Sequence, residues 1–376
     1  MSDTSSDTPP SSSPRYRVPV PVQRFDTPSG YRIYRIACEV MPHYHGFSHL
    51  VLGEGVPATL IDTGSGSDIS CRDLEKGLQL VATEFGERWN VADDLRRIWL
   101  THTHHDHIGM AAELAERSGA ELGVHRYDAR LMVAWDENAL LIRRATMTIL
   151  AEAGVEPPRR MELCDAYAMR PRLVRSAAHV DRIFGTDTPN NVEREGPFTI
   201  HHVPGHSPGH VLFEIDGFLI GGDHLLSRTV SQLWPQRMTP FTGFGHMLDS
   251  LHQLERLAAT GVVHTLLAGH EDVISDIPAR TREVLNIHRR RNERVLELVA
   301  GSDHPVTASE VSDRMYTHRS GFFGFLVIAD VVARFEHLLL CGEVNVANAD
   351  EIARDVAIPR FTPTRFIPVL RHSGYE

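Results

Sequence analysis

Four histidines and one aspartate fall between His102 and His107, directly after the apolar run Ile98-Trp99-Leu100. His102 and His104 are two apart in backbone expected to be extended as it leaves a strand, so both imidazoles point to one side. Asp106 and His107 follow where the pattern turns helical, which aims a second pair of ligands into the same space. Neutral imidazole nitrogen and carboxylate oxygen are donors that zinc, iron and manganese accept. A His-rich tract can also be no more than a polar loop, but the order of residue types further along the chain argues against that. Isolated His and Asp residues recur, each in a Gly-rich turn after an apolar strand: His206 within Pro204-Gly205-His206-Ser207-Pro208-Gly209-His210, Asp223 within Gly221-Gly222-Asp223-His224, and His270 within Ala268-Gly269-His270-Glu271. Upstream, Leu60-Ile61-Asp62-Thr63-Gly64 ends in the same way.

Taken in order, Asp62, His102-x-His104-x-Asp106-His107, His206, Asp223 and His270 make the chain resemble the metallo-β-lactamase superfamily over about residues 25–278. The resemblance implies an α/β fold, a four-layer αβ/βα sandwich with metals at one edge between two sheets. It assigns His102, His104 and His206 to a first cation and Asp106, His107 and His270 to a second, with Asp223 bridging and Asp62 orienting ligands from behind. Two zinc ions are the implied cofactors, with iron or manganese as alternatives. The implied activity is that of a metal-dependent hydrolase in which a metal-bridging hydroxide attacks and Asp106 accepts or relays its proton. Asp106 and Asp62 are then the catalytic carboxylates. The expected substrate is a small ester, thioester or lactone, by similarity to the glyoxalase-II-like and acyl-thioesterase branches. A phosphodiesterase or endoribonuclease is the alternative on the same fold, weakened because His105 stands where the tRNA-processing branch has Gly. Iron-dependent redox chemistry, as in persulfide dioxygenases, is a third reading, although the flavodiiron pattern has Glu where this chain has His104.

The elements that must hold these residues can be read around them. Residues 1–24 are rich in Ser, Pro, Thr and Asp, too poor in apolar side chains to fold, and are expected to be a disordered tail. Short strands should end at Asp62, and a helix over Leu74–Phe85 should bury Leu74, Leu78, Val81 and Phe85. A helix from Ile108 to Ser118, stopped by Gly119, should anchor Asp106 and His107 at its start. Phe198–Val203 and Val211–Ile215 should form a hairpin with His206 in its loop. Phe218–Ile220 and His264–Leu267 should deliver Asp223 and His270, with a helix over Met247–Ala258 between them. The stretch 127–194 shows helical patches at Leu131–Leu150 and Leu173–Phe184. Met132, Trp135, Met147 and Met169 there either line a substrate pocket or, as their helical spacing favours, fill a core. His43, His45 and His49 either rim the site or are ordinary hydrogen-bonded histidines, the commoner case. Trp234, Phe241, Phe244 and His246 form a rim or a packing cluster, and His210 and His224 should hydrogen-bond within their loops.

Residues 279–376 are expected to be a second domain. Helices over Thr281–Val299, from a Thr307/Glu310 capping box, and over Phe325–Leu340, followed by strands at Val344–Val346 and Arg365–Leu370, resemble a winged-helix module, as do the stretches Ile287-His288-Arg289 and Phe335-Glu336-His337-Leu338. Charge speaks against nucleic acid as a partner. From Pro278 onward 13 Arg face 13 Asp plus Glu, the whole chain carries −11, and the third helix holds only Asp330, Arg334 and Glu336 as charged residues. The Arg289-Arg290-Arg291 run is best read as a solvated helix face. The module is therefore expected to pack, dimerise or close over a small acyl substrate. Four dispersed cysteines form no C-x-x-C pair and no apolar run reaches bilayer length, so a soluble, cytoplasmic, membrane-free chain is expected.

Overall fold

The computed structural model describes residues 19–168, 174–186, 190–317, 320–354 and 363–368. Two sheets carry the first part of the chain. One has seven strands in sequence order, β1 (Val22–Asp26), β2 (Arg32–Met41), β3 (Tyr44–Gly53), β4 (Val56–Ile61), β5 (Leu95–Trp99), β6 (Glu121–His125) and β7 (Arg182–Phe184). Its first four strands pair antiparallel and the rest parallel. The other comprises β8 (Val192–Glu195), β9 (Phe198–His202), β10 (Val211–Ile215), β11 (Phe218–Gly222) and β12 (Thr265–Ala268), lying in the order β12-β11-β10-β9-β8. A short pair, β13 (Val344–Val346) and β14 (Phe366–Pro368), closes the C-terminal part.

Strand alternation divides the apolar side chains between layers. On β2, β3 and β5, Ile33, Val51 and Trp99 face the second sheet and meet Phe198, Val211, Phe213 and Ile220. Their neighbours Tyr34, Leu50 and Ile98 face outward against α1 (Asp68–Thr83) and, beyond the single turn α2 (Val91–Asp94), α3 (Ala111–Ser118). Between β6 and β7 the chain forms α4 (Ala129–Val133), α5 (Trp135–Glu152) and α6 (Pro157–Ala168). The outer face of the second sheet, Leu212, Leu219 and Leu266, packs on Leu251 and Leu254 of α7 (Phe244–Ala259) and on Val284 of α8 (Ile277–Ala300). The result is the expected helix–sheet–sheet–helix sandwich. α9 (Ala308–Met315), α10 (Gly321–Leu340) and α11 (Ala349–Arg354) complete the described chain. Their core is shared: Ile149, Leu150, Leu163 and Cys164 of α5 and α6 cluster with Val295, Val311, Phe325, Phe335 and Phe366. No described helix is long and apolar enough to cross a membrane.

Several expectations are corrected. The tail read to Arg24 ends earlier, because Val22–Asp26 pairs with β2 and Phe25 packs edge-on against Phe218 at 6.0 Å. A strand with only two apolar residues leaves no signal in composition. Where a helix was read over Leu173–Phe184, the described residues 174–181 are not helical and Arg182–Phe184 is β7, an edge strand of three residues. Pro157 and Pro158, which lie between the two expected helical patches, open a further helix, α6, where a missing N–H is harmless. The capping box at Thr307 and Glu310 is present as read. Residues 369–370 of the last expected strand lie outside the described residues.

Candidate metal centre

All seven expected ligands converge at one edge between the sheets. Three groups of side chains bring their donor atoms within 4.8 Å of one another: His102, His104 and His206; His102, His107 and Asp223; and Asp106, His107 and His270. Asp223 stands at the centre, with Oδ1 3.3 Å from His107 Nε2 and 3.5 Å from His270 Nε2, and Oδ2 3.6 Å from His206 Nε2. Asp106 Oδ2 lies 3.5 Å from His270 Nε2.

The hydrogen bonds behind the imidazoles fix which nitrogen faces inward. Thr101 Oγ1 donates to Asp62 Oδ2 at 2.7 Å, so at 3.0 Å it accepts from His102 Nδ1–H and leaves Nε2 as a free donor atom. His107 Nδ1–H donates to the same Asp62 oxygen at 2.9 Å, His206 Nδ1–H to the Gln232 carbonyl at 3.1 Å, and His270 Nδ1–H to the His45 carbonyl at 2.8 Å. His104 differs: its Nδ1, 3.1 Å from His102 Nε2, is the inward atom. Asp62 takes a positive φ of 59°, a conformation Asp tolerates, and its other oxygen accepts from Thr101 N at 2.8 Å. One carboxylate therefore orients two imidazoles, the second-layer arrangement that metal sites require.

Backbone contacts within and between the sheets lock the loops. Thr101 O receives Val211 N, Gly269 N donates to Gly222 O, and Phe47 N donates to Gly269 O, at 2.7 to 2.8 Å. The helix expected from Ile108 begins at Ala111, so Asp106 and His107 sit in the turn before it. That turn is held by Gly109, whose α-carbon approaches Ser65 and Gly66 so closely that a Cβ would lie 2.0 Å from Gly66 N. Arg35, buried across β2, donates to the carbonyls of Ala268 and Glu271 on either side of His270.

The donor set fits cations. His107 Nε2, His206 Nε2 and Asp223 Oδ1 are buried without hydrogen-bond partners, a costly arrangement unless a positive ion faces them. Burial opposes charge on His107, but Asp223 and Asp62 outweigh it and hold the imidazole well above the ordinary histidine range. Burial and the neighbouring imidazoles His107 and His104 push His102 well below it. Nitrogen and oxygen donors without thiolate suit zinc, iron or manganese.

Other expected residues separate. His210 accepts from Asp223 N at 3.0 Å through Nε2, a bond to the next ligand loop rather than within its own, and its ring stacks on His102. His224 and His49 are buried beside the site, and His45 contributes its carbonyl. Trp234 reaches the site, 6.1 Å from His104, whereas Phe241 stacks on Tyr127 and Phe244 packs edge-on to His337. His246 lies 5.8 Å from Phe241, within the packing cluster. Met132 and Trp135 are core residues under the first sheet, and Met147 packs on the C-terminal cluster. Met169 lies outside the described residues. Tyr44, stacked on His270 at 4.6 Å, and Asp128, whose Oδ1 accepts from Gly209 N at 3.1 Å, carried no signal in sequence.

A family model described as the metallo-beta-lactamase superfamily matches residues 44–270. The fold is similar to that of a metallo-beta-lactamase family protein from Thermus thermophilus, with 23% identity and a TM-score of 0.65, covering 89% of this chain and 98% of that one. It is also similar to a beta-lactamase domain protein from Burkholderia ambifaria, with 18% identity, a TM-score of 0.58 and 92% of each chain covered. Among curated proteins none matches.

Proposed function

The chain belongs to the metallo-beta-lactamase superfamily of metal-dependent hydrolases, and from that premise we propose that it is a dinuclear zinc hydrolase of a small ester, thioester or lactone. The observation that carries the reading is Asp223, which stands between a three-histidine group and an Asp-His-His group. His102, His104 and His206 would hold one cation and Asp106, His107 and His270 the other, with Asp223 shared. When bound, such a pair makes water reactive near neutral pH and polarises a carbonyl oxygen. Asp62 and Thr101 keep His102 and His107 in the tautomer that presents Nε2. Asp106 can take up a proton on Oδ1, the oxygen turned away from His270, where His105 Nδ1 lies 3.5 Å off. Trp234 and Tyr44 supply apolar walls on opposite flanks, suited to an acyl group.

Nucleic acid is disfavoured as a substrate. Arg334, the cation of α10, is fully buried and bonded to Asp330, and Glu336 is paired to Arg237, so α10 presents no cation to a phosphate backbone. The test is elemental analysis of purified protein followed by a panel of thioesters, lactones and RNA. Zinc with acyl turnover is expected, and His102→Ala combined with His104→Ala should abolish both metal content and turnover. Turnover by metal-free protein would reject the scheme. Iron with oxygen uptake would point to the redox alternative, and RNA cleavage to the nuclease.

A further inference from the structure

Behind His206 lies a second concavity. A cavity of about 370 Å³ opens between the segment 228–232 and helices α8 to α10. It shares a wall with the metal centre: Ser231 and Gln232 line it, and they place Oγ at 2.9 Å and a carbonyl oxygen at 3.1 Å from His206 Nδ1. That wall is rigid. Glu271 accepts from Arg228 N, Thr229 N and Thr229 Oγ1, Arg280 donates to the carbonyls of Leu226 and Thr229, and Gln232 Nε2 donates across the cavity edge to Leu326 O.

The acid inside is already engaged. Asp330, the acid lining the cavity, already accepts from Arg334 Nε and Nη2 at 2.9 and 3.0 Å and from Tyr316 Oη at 2.8 Å. Arg291 also lines it, half-buried, close enough for its charge to favour the carboxylate form of Asp330 but in no ion pair among the described residues. Its neighbours in the run behave differently: Arg289 and Arg290 are exposed, and Arg289 pairs with Glu293 at 2.9 Å. The reading of the run as a solvated face therefore holds for two arginines and not for the third. Arg228 sits at the rim, engaged with Asp272. Ile287, Leu326 and Val327 give the remaining wall an apolar surface.

We propose that this cavity binds a small molecule carrying a carboxylate or phosphate, with Arg291 as its ion-pair partner, Arg228 at the rim and the apolar wall against its carbon body. A guanidinium held in a concave site without a direct ion pair matches such groups in geometry as well as charge. The volume falls within the range of small-molecule sites, about 300 to 1,000 Å³. Two sources could offer the group: the acidic end of the hydrolysable substrate, or a separate small anion that bears on the Ser231–Gln232 wall behind His206.

Calorimetric titration of the metal-loaded protein with inorganic phosphate and with glutarate reads the site. Binding of either anion at the metals is common to wild type and Arg291→Gln, so the difference between them reports the cavity. Arg291→Gln should weaken at least one anion about tenfold or more, as loss of a charge-assisted bond implies. Arg291→Lys should recover part of that, and Arg289→Gln should change nothing. Equal affinities in wild type and Arg291→Gln overturn the proposal. A kinetic arm, which rests on the hydrolase reading, separates the sources by comparing p-nitrophenyl acetate with mono-p-nitrophenyl glutarate. If the substrate's own tail occupies the cavity, Arg291→Gln lowers the glutarate-to-acetate ratio of kcat/KM about tenfold. If a separate anion does, phosphate alters acetate hydrolysis in wild type and not in Arg291→Gln. Absence of turnover with every ester would count against the hydrolase reading alone, and the titration would still decide the cavity.

Discussion

Two imidazoles depend on Asp62, His107 directly and His102 through Thr101. Asp62→Asn keeps the volume and loses the charge, so metal affinity should fall by about 10- to 100-fold. Competition against a chelating dye measures this, and unchanged affinity would mean the imidazoles hold their orientation without it. Asp128 allows a prediction in pH. Burial pushes its carboxyl up to about 7, against hydrogen bonds from Gly209 and Thr103 that favour the charged form. In the unfolded chain this carboxyl ionises near about 4. The folded state therefore holds the proton longer, and stability contributed by the neutral group declines as pH rises from about 4 through 7. Asp128→Asn removes that slope. In urea unfolding of metal-loaded protein at pH 5 and pH 7, wild type should lose stability relative to the variant by up to about 1.4 kcal/mol per pH unit. Parallel behaviour would show that Asp128 is ionised throughout. At this scale the candidate ligands were legible in sequence because metal donors come from few residue types in Gly-rich turns. Thr101, Gln232 and Tyr44 were not: a hydroxyl, a carbonyl and a ring face carry their roles, and nothing in residue type singles these out.

At the scale of elements, α8 and α10 are joined through a buried pair. Arg334, with no exposed surface, bonds Asp330 within α10 and reaches the His288 carbonyl and Asn292 Oδ1 on α8. Arg334→Met would leave Asp330 buried with Tyr316 as its hydrogen-bond partner, which should cost about 3 to 5 kcal/mol in denaturant unfolding. Replacing both, Arg334→Met with Asp330→Leu, should restore much of the loss. A single variant as stable as wild type would mean that water reaches the carboxylate. Gly109→Ala tests the turn that carries His107, since a Cβ there meets the backbone of Ser65 and Gly66 and neither can move without shifting the Asp62 turn. Weakened metal binding alongside lower stability is expected, and wild-type metal affinity would separate the two turns. Elements were legible where periodicity was long, as in α1, α7 and α8, or where a cap declared itself, as at Thr307. They were lost where short strands lie at a sheet edge, as in β1 and β7, and where Gly321 and Gly324 disguise the first turn of α10. An edge strand draws its stability from a partner far away in sequence, so a local pattern cannot announce it.

For the molecule as a whole, the question is whether the sandwich and the C-terminal helices unfold as one body. α8 bears on both, since Val284 packs in the α7 layer while Val295 and Val299 pack with α9 and α10. α5 and α6, inserted between β6 and β7, supply Ile149, Leu150, Leu163 and Cys164 to that same C-terminal cluster. Polar ties cross as well: Gln232 to the Leu326 carbonyl at 3.0 Å, Arg237 to Glu152 and Glu336 at 2.7 and 2.8 Å, and Arg159 to Asp313 at 3.0 Å. The exposed ion pairs among these contribute little individually, and the shared apolar cluster dominates the coupling. Removing the helices after Ile277 would uncover α5, α6 and the outer face of α7 together. Metal-loaded protein should therefore show one calorimetric transition, with tryptophan fluorescence and far-ultraviolet dichroism changing together. Stripping the metals by chelation should lower that one transition by several degrees, because ligand binding to the folded state alone adds about 4 kcal/mol at a thousandfold excess over Kd. Two resolved transitions, with only the lower or only the upper one sensitive to metal, would show that the clusters are separable and that the Ser231–Gln232 wall carries no coupling between them.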